Sequence, residues 1–114
     1  MRGIDQVHLE PPDRLAAIEV SRALKAHLPV EAVILFGSKA RGDDTGDSDM
    51  DVLILLQGER PADASRRVWD VLWDVQLKYA VGLSPLVVSA EQWHHGLYQA
   101  TLLKAEIERD GVVL

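Results

Sequence analysis

There is no cysteine among the 114 residues, which excludes disulfides, thiolate nucleophiles and cysteine-based zinc or iron–sulfur sites. No apolar stretch approaches the roughly 20 residues that span a bilayer. The start, Met1-Arg2-Gly3-Ile4-Asp5, lacks the apolar core of a signal peptide. A cytoplasmic location is the expectation that follows. Positive charge is also scarce: 12 Lys and Arg against 18 Asp and Glu leave a formal net charge of -6. Such a field repels duplex DNA or RNA unless a local basic patch compensates. Lys39, Arg41, Arg60, Arg66 and Arg67 are the nearest approach to one, and they are scattered. Long nucleic acid is therefore not an expected partner. A single nucleotide bridged by metal ions stays compatible, because the ions reverse the local sign.

What is present is ordinary for a globular chain, with 47% apolar and 26% charged residues. The length suits one domain, taken as residues 1–114. Residues 1–12, ending in Pro11-Pro12, read as an irregular arm. Asp13 is the expected N-cap of a helix over 14–27 whose apolar stripe is Leu15, Ile18, Leu24 and Leu28. After Pro29, Val30 to Phe36 reads as a buried strand. Gly37 to Arg41 fits a single helical turn, and Gly42 to Ser48 is a loop rich in Asp and Gly. Met50 to Gln57 is apolar on both faces, as a central strand requires. A long helix over 62–80 carries Val68, Val71, Leu72, Val75 and Tyr79 at core spacing. Leu83 to Ser89 is a third strand, and Pro85 within it argues for an edge position or a late start. One or two helices fill 90–110. The order α-β-β-α-β-α predicts an α+β or α/β domain with a small mixed sheet flanked by helices.

The chemistry concentrates between the first two strands. Gly37-Ser38 ends one apolar run, ten residues intervene, and Asp49 and Asp51 lead the next. Glycine lets a backbone approach a phosphate closely, and amides at the start of a helical turn favour anions. The Ser38 hydroxyl can donate to a phosphate oxygen, and Arg41, one turn on, can add a cation. Asp49 and Asp51 are two apart on a strand, so they share a face with Cα atoms about 7 Å apart. Magnesium takes few protein carboxylates and fills its shell with phosphate oxygens, which this sparse set suits. Either half alone is a weak signal; both together, each joined to an apolar strand, are specific.

These residues resemble the minimal nucleotidyltransferases of the DNA polymerase β superfamily, whose signature is Gly-Ser, ten residues, then Asp-x-Asp. Gly37-Ser38-Lys39-Ala40-Arg41-Gly42 and Ser48-Asp49-Met50-Asp51-Val52 fit it without a gap, over about 25 residues. The resemblance implies the polymerase β-type nucleotidyltransferase fold. It implies that Asp49 and Asp51 are catalytic and bind Mg²⁺, and that Gly37 and Ser38 hold the triphosphate, with ATP as the simplest substrate. Many small relatives are paired with an all-helical HEPN ribonuclease toxin, and some transfer AMP to a tyrosine of it. The resemblance thus implies an antitoxin that works in an oligomer with its toxin. Larger members add a third carboxylate on a later strand. The strand Leu83 to Ser89 has no acid, and Glu91 falls just beyond its end. The alternative is therefore a weak or inactive subunit that neutralises its partner by binding.

Other signals carry less. Asp47-Ser-Asp49-Met-Asp51 imitates a calcium loop but has Val52 and Gly58 where Gly and Glu are needed. Asp43, Asp44 and Asp47 read as a solvated loop. Arg22 and His27 match the Arg-x₄-His spacing of the HEPN ribonucleases themselves, which the strands of this chain argue against. Trp69 and Trp73 lie one turn apart, off the main apolar stripe; core packing is the default account of that spacing, and covering a partner surface is the alternative. His94-His95 read as exposed or capping, without acids at ligand spacing.

Overall fold

The sheet is organised around the most apolar segment of the chain. The computed structural model describes residues 1–58 and 60–114. In it Met50–Leu56 (β3) pairs antiparallel with Val30–Phe36 (β2) and parallel with Leu83–Ser89 (β4). Every β3 residue except Asp51 is buried. Helices cover both faces of this strand, which is why its apolar run is continuous and does not alternate.

On one face, Pro11–His27 (α1) and Pro61–Tyr79 (α3) pack Ala16, Val20, Leu24, Val68 and Leu72 against Val33, Leu35, Val52 and Ile54. On the other, Trp93 of Ala90–His95 (α4) and Ile107 of Leu102–Asp110 (α5) pack against Ile34, Leu53, Leu55 and Val88. Truncating a fully buried leucine such as Leu53 to alanine costs about 2–5 kcal/mol in such an environment. The long α3 makes the crossover that parallel pairing of β3 and β4 demands. It opens at Pro61 and closes at Ala80, a left-handed residue with φ 55°. Thr101 caps α5 by accepting from the Lys104 amide at 3.2 Å.

Three readings of the sequence change here. Residues 1–12 are not an irregular arm. Arg2–Gly3 (β1) runs parallel to Val112–Val113 (β5), and β5 pairs antiparallel with β2, so the sheet order is β1-β5-β2-β3-β4. Pro11 and Pro12 begin α1, where a missing N–H removes no hydrogen bond. The N-cap is Glu10 and not Asp13, whose carboxylate lies inside the first turn and accepts from Lys39. The α1 stripe also turns. Leu15 and Ile18 are about half exposed, while Ala16, Ala17 and Val20 are fully buried, because small side chains let the helix approach the sheet closely. The edge placement of β4 holds.

Candidate functional site

The site is built at the end of the sheet where β2 gives way to β3. Beyond Phe36 the chain turns at Gly37 (φ 77°, ψ -158°) into one helical turn, Ser38–Arg41 (α2). The turn is closed by the Gly42 amide donating to the Ser38 carbonyl at 2.8 Å. Amides at its start have no partner within the turn. Antiparallel register sets Phe36 opposite Asp51, so Gly37 falls against the Asp51 side chain. A Cβ on Gly37 would collide with Asp51 Oδ2. Glycine is required there both for its positive φ and for that contact.

Asp49 stands exposed just ahead of β3, and Asp51 is half-buried within it. Burial first, and then the charge of Asp49, raise the Asp51 carboxyl above its ordinary range, while Arg41 pulls it back. Asp49 leans the other way, towards β4. A Cβ on Gly82 would collide with its Oδ1, and the Met50 amide donates to the Gly82 carbonyl at 2.9 Å. Each carboxylate is thus seated over a glycine. The role of Gly82 escaped sequence reasoning. A glycine opening a strand was visible, but only the β3–β4 register places it beside Asp49.

Between α2, Asp51 and α5 lies a cleft of about 320 Å³ whose lining includes Phe36, Ser38, Arg41, Asp51, Leu103 and Glu106. Gly37, Ser38, Arg41 and Asp51 therefore meet in one place, and Asp49 lies beside it at the β4 side. The Arg41 guanidinium is raised above its usual range, chiefly by its hydrogen bond to Asp43 at 3.1 Å. Opposite Asp51 on β4 stands Ser84, so the later strand contributes no third acid there. Glu91 borders a different cleft, at the far end of the sheet.

Two neighbouring carboxylates, one of them raised by the other's charge, fit a divalent cation. Among the described residues, no group of three or more His, Asp or Glu is arranged to hold a metal. Asp49 and Asp51 are the two carboxylates of the site that could hold such an ion. The remaining sequence signals lie elsewhere. Trp69 and Trp73 are 45% and 57% exposed on α3. His94 and His95 are exposed, as expected, and His94 meets an acid from a distant segment. Its Nε2 lies 2.7 Å from Glu31 Oε2, a pairing 63 residues apart in sequence. Asp43 and Asp44 are not merely solvated, since they face Arg41 and Lys39.

Two relatives from Methanocaldococcus jannaschii carry the name "Putative protein adenylyltransferase". One is 38% identical over 69 residues, spanning 60% of this chain and 68% of the relative. The other is 42% identical over 62 residues, spanning 54% and 57%. A solved structure from Sulfolobus solfataricus, titled a "putative nucleotidyltransferase", aligns with TM-score 0.44 and 23% identity over 86% of this chain and 85% of that one. No helix among the described residues is long and apolar enough to cross a membrane. Residues 17–111 match the nucleotidyltransferase domain family, and the chain belongs to that family.

Proposed function

We propose that the chain transfers AMP from Mg²⁺-bound ATP to a hydroxyl of a protein partner, and that this partner is a HEPN-type toxin it holds in check. The observation that carries the reading is the seating of Asp51 against Gly37-Ser38 by the β2–β3 register, in a chain of the nucleotidyltransferase family. The names of the two Methanocaldococcus relatives support a protein acceptor.

In this reading Gly37 and Ser38 hold the phosphate tail through backbone amides and the Ser38 hydroxyl, and Arg41 offsets its charge. Asp49 and Asp51 hold the metal. When bound there, Mg²⁺ would supply charge neutralisation for the phosphates. The acceptor oxygen bonds to the α-phosphorus as the bond to the pyrophosphate oxygen breaks, and the hydroxyl proton passes to solvent. Asp51 is fixed by its strand and by Gly37, so little reorganisation is needed when ATP arrives.

A second reading rests on one specific observation. Ser84 and no acid stands beside Asp51 on β4, which favours a subunit that neutralises its partner by covering it. Loss of a general base typically costs about 10²–10⁴-fold in rate. The test incubates the chain with labelled ATP, Mg²⁺ and the product of the neighbouring reading frame. Label on the partner that disappears with Asp49→Asn/Asp51→Asn supports transfer. An unlabelled partner that the double variant still neutralises establishes the covering subunit instead.

A further inference from the structure

Lys39 sits inside the signature turn yet faces away from the cleft. Its ammonium is buried, 2.7 Å from Asp13 Oδ2 on α1 and 3.5 Å from Asp44 Oδ2 in the loop that leads to Asp49. The side chain of Lys39 is 6% exposed and that of Asp13 is 12%. The other end of the turn is fastened separately. Arg2 Nη2 donates to the Ala40 carbonyl at 2.8 Å and to the Asp110 carbonyl of α5 at 2.6 Å.

We infer that Lys39 is a positioning residue, which ties the phosphate turn and the Asp49 loop to α1 and thereby sets Ser38 and Arg41 against Asp51. This rests on the nucleotide-site reading above. Three observations carry it. A four-residue turn cannot fix its own orientation, because it contains hardly more than one hydrogen-bonded turn. Lys39 joins three segments that otherwise meet the site from different parts of the chain: α1, α2 and the acidic loop. A buried ion pair is also a poor device for stability alone, since its desolvation offsets its attraction and an apolar pair of similar size often does as well. Fixing geometry at a phosphate turn is the use that remains for an ammonium paired with both Asp13 and Asp44.

The ammonium is held charged, its affinity for the proton raised first by the hydrogen bond to Asp13 against the opposing effect of burial. Ser38 and Arg41, on the opposite side of the same turn, line the cleft, whereas Lys39 does not. Displacing a turn by even about 1 Å at such a site can cost about 10²-fold in rate.

The test uses the full chain in four forms: wild type, Lys39→Arg, Asp13→Asn and the apolar pair Asp13→Leu/Lys39→Met. Amide hydrogen exchange of residues 38–46 in the nucleotide-free protein is read beside calorimetric Mg-ATP affinity and the melting temperature. The inference expects the apolar pair to melt close to wild type. It expects faster exchange across 38–46 and about tenfold or more weaker Mg-ATP binding in both the apolar pair and Asp13→Asn. Lys39→Arg should recover most of the affinity. Wild-type exchange in the apolar pair overturns the inference whatever the nucleotide does. Normal affinity in Asp13→Asn with loss in the apolar pair overturns it too, because Lys39 would then act on the nucleotide directly. If wild type takes up no Mg-ATP, the nucleotide-site reading fails, and the exchange data still decide whether Lys39 orders the turn.

Discussion

The two ends of the sheet carry clefts of opposite character. The larger, about 680 Å³, lies at the carboxyl ends of the parallel strands β3 and β4 and is bordered by Glu31, Arg60, Ser89, His94 and His95. Open α/β sheets usually bind ligands at that end. The smaller, about 320 Å³, lies where β2 hands over to β3 and holds Ser38, Arg41 and Asp51. Size points to the first and chemistry to the second. At the larger end the charges are partly exposed and paired, as with His94 and Glu31. At the smaller end a half-buried carboxyl is raised by burial and by a second acid, and a glycine stands under each acid. Unmet negative charge against a preformed turn marks a place for a cation and phosphate. Volume alone does not.

The sharpest way to break this comparison is to remove the charge at the small cleft. Asp49→Asn/Asp51→Asn should lose several kcal/mol of transition-state stabilisation, about 10³-fold in transfer of labelled AMP. Substituting the glycines tests the seating of the acids with their chemistry left intact. Gly82→Ala should push the Asp49 carboxylate aside and cut transfer by about 10²-fold with an unchanged circular dichroism spectrum. Gly37→Ala should do the same to Asp51. Because φ there is 77°, it should also lower stability by about 1–3 kcal/mol, read as a fall in the urea midpoint.

A smaller effect should appear in stability against pH. The folded Asp51 carboxyl holds its proton more tightly than the unfolded one, so stability falls as pH rises from the ordinary carboxylate range to the raised value. That penalty persists at neutral pH without a cation. Asp51→Asn removes it, so the variant should show a higher urea midpoint than wild type at pH 7. The gap should close below the ordinary carboxylate range. The smallest effects belong to the larger cleft. His94→Ala should leave AMP transfer within about twofold and change stability by no more than about 1 kcal/mol, the range of an exposed pair. A collapse of transfer in His94→Ala would move the chemistry to the wrong end of the sheet.

Much of this was legible in the chain because its signals are local. The apolar runs of β2 and β3 end at Gly37 and begin after Asp49, so both strands and the turn between them follow from neighbouring residues. The same holds for Val68, Leu72 and Val75 on α3, which are buried as their spacing requires. What escaped depends on pairings distant in sequence. Gly82 matters through its place beside Asp49 across the β3–β4 pair, and Asp13 through Lys39. The two-residue strands β1 and β5 depend on pairings with distant segments, β1 with β5 and β5 with β2. On α1, two overlapping apolar stripes were available. Close packing selected the alanine stripe over the larger Leu15 and Ile18.

Calorimetric titration of Mg-ATP tests the central claim most directly, because it reads the site without needing a partner. Wild type should bind one nucleotide per chain, Gly82→Ala should bind more weakly, Asp49→Asn/Asp51→Asn should show no saturable heat, and His94→Ala should match wild type. Equal binding by wild type and the double aspartate variant would contradict the account.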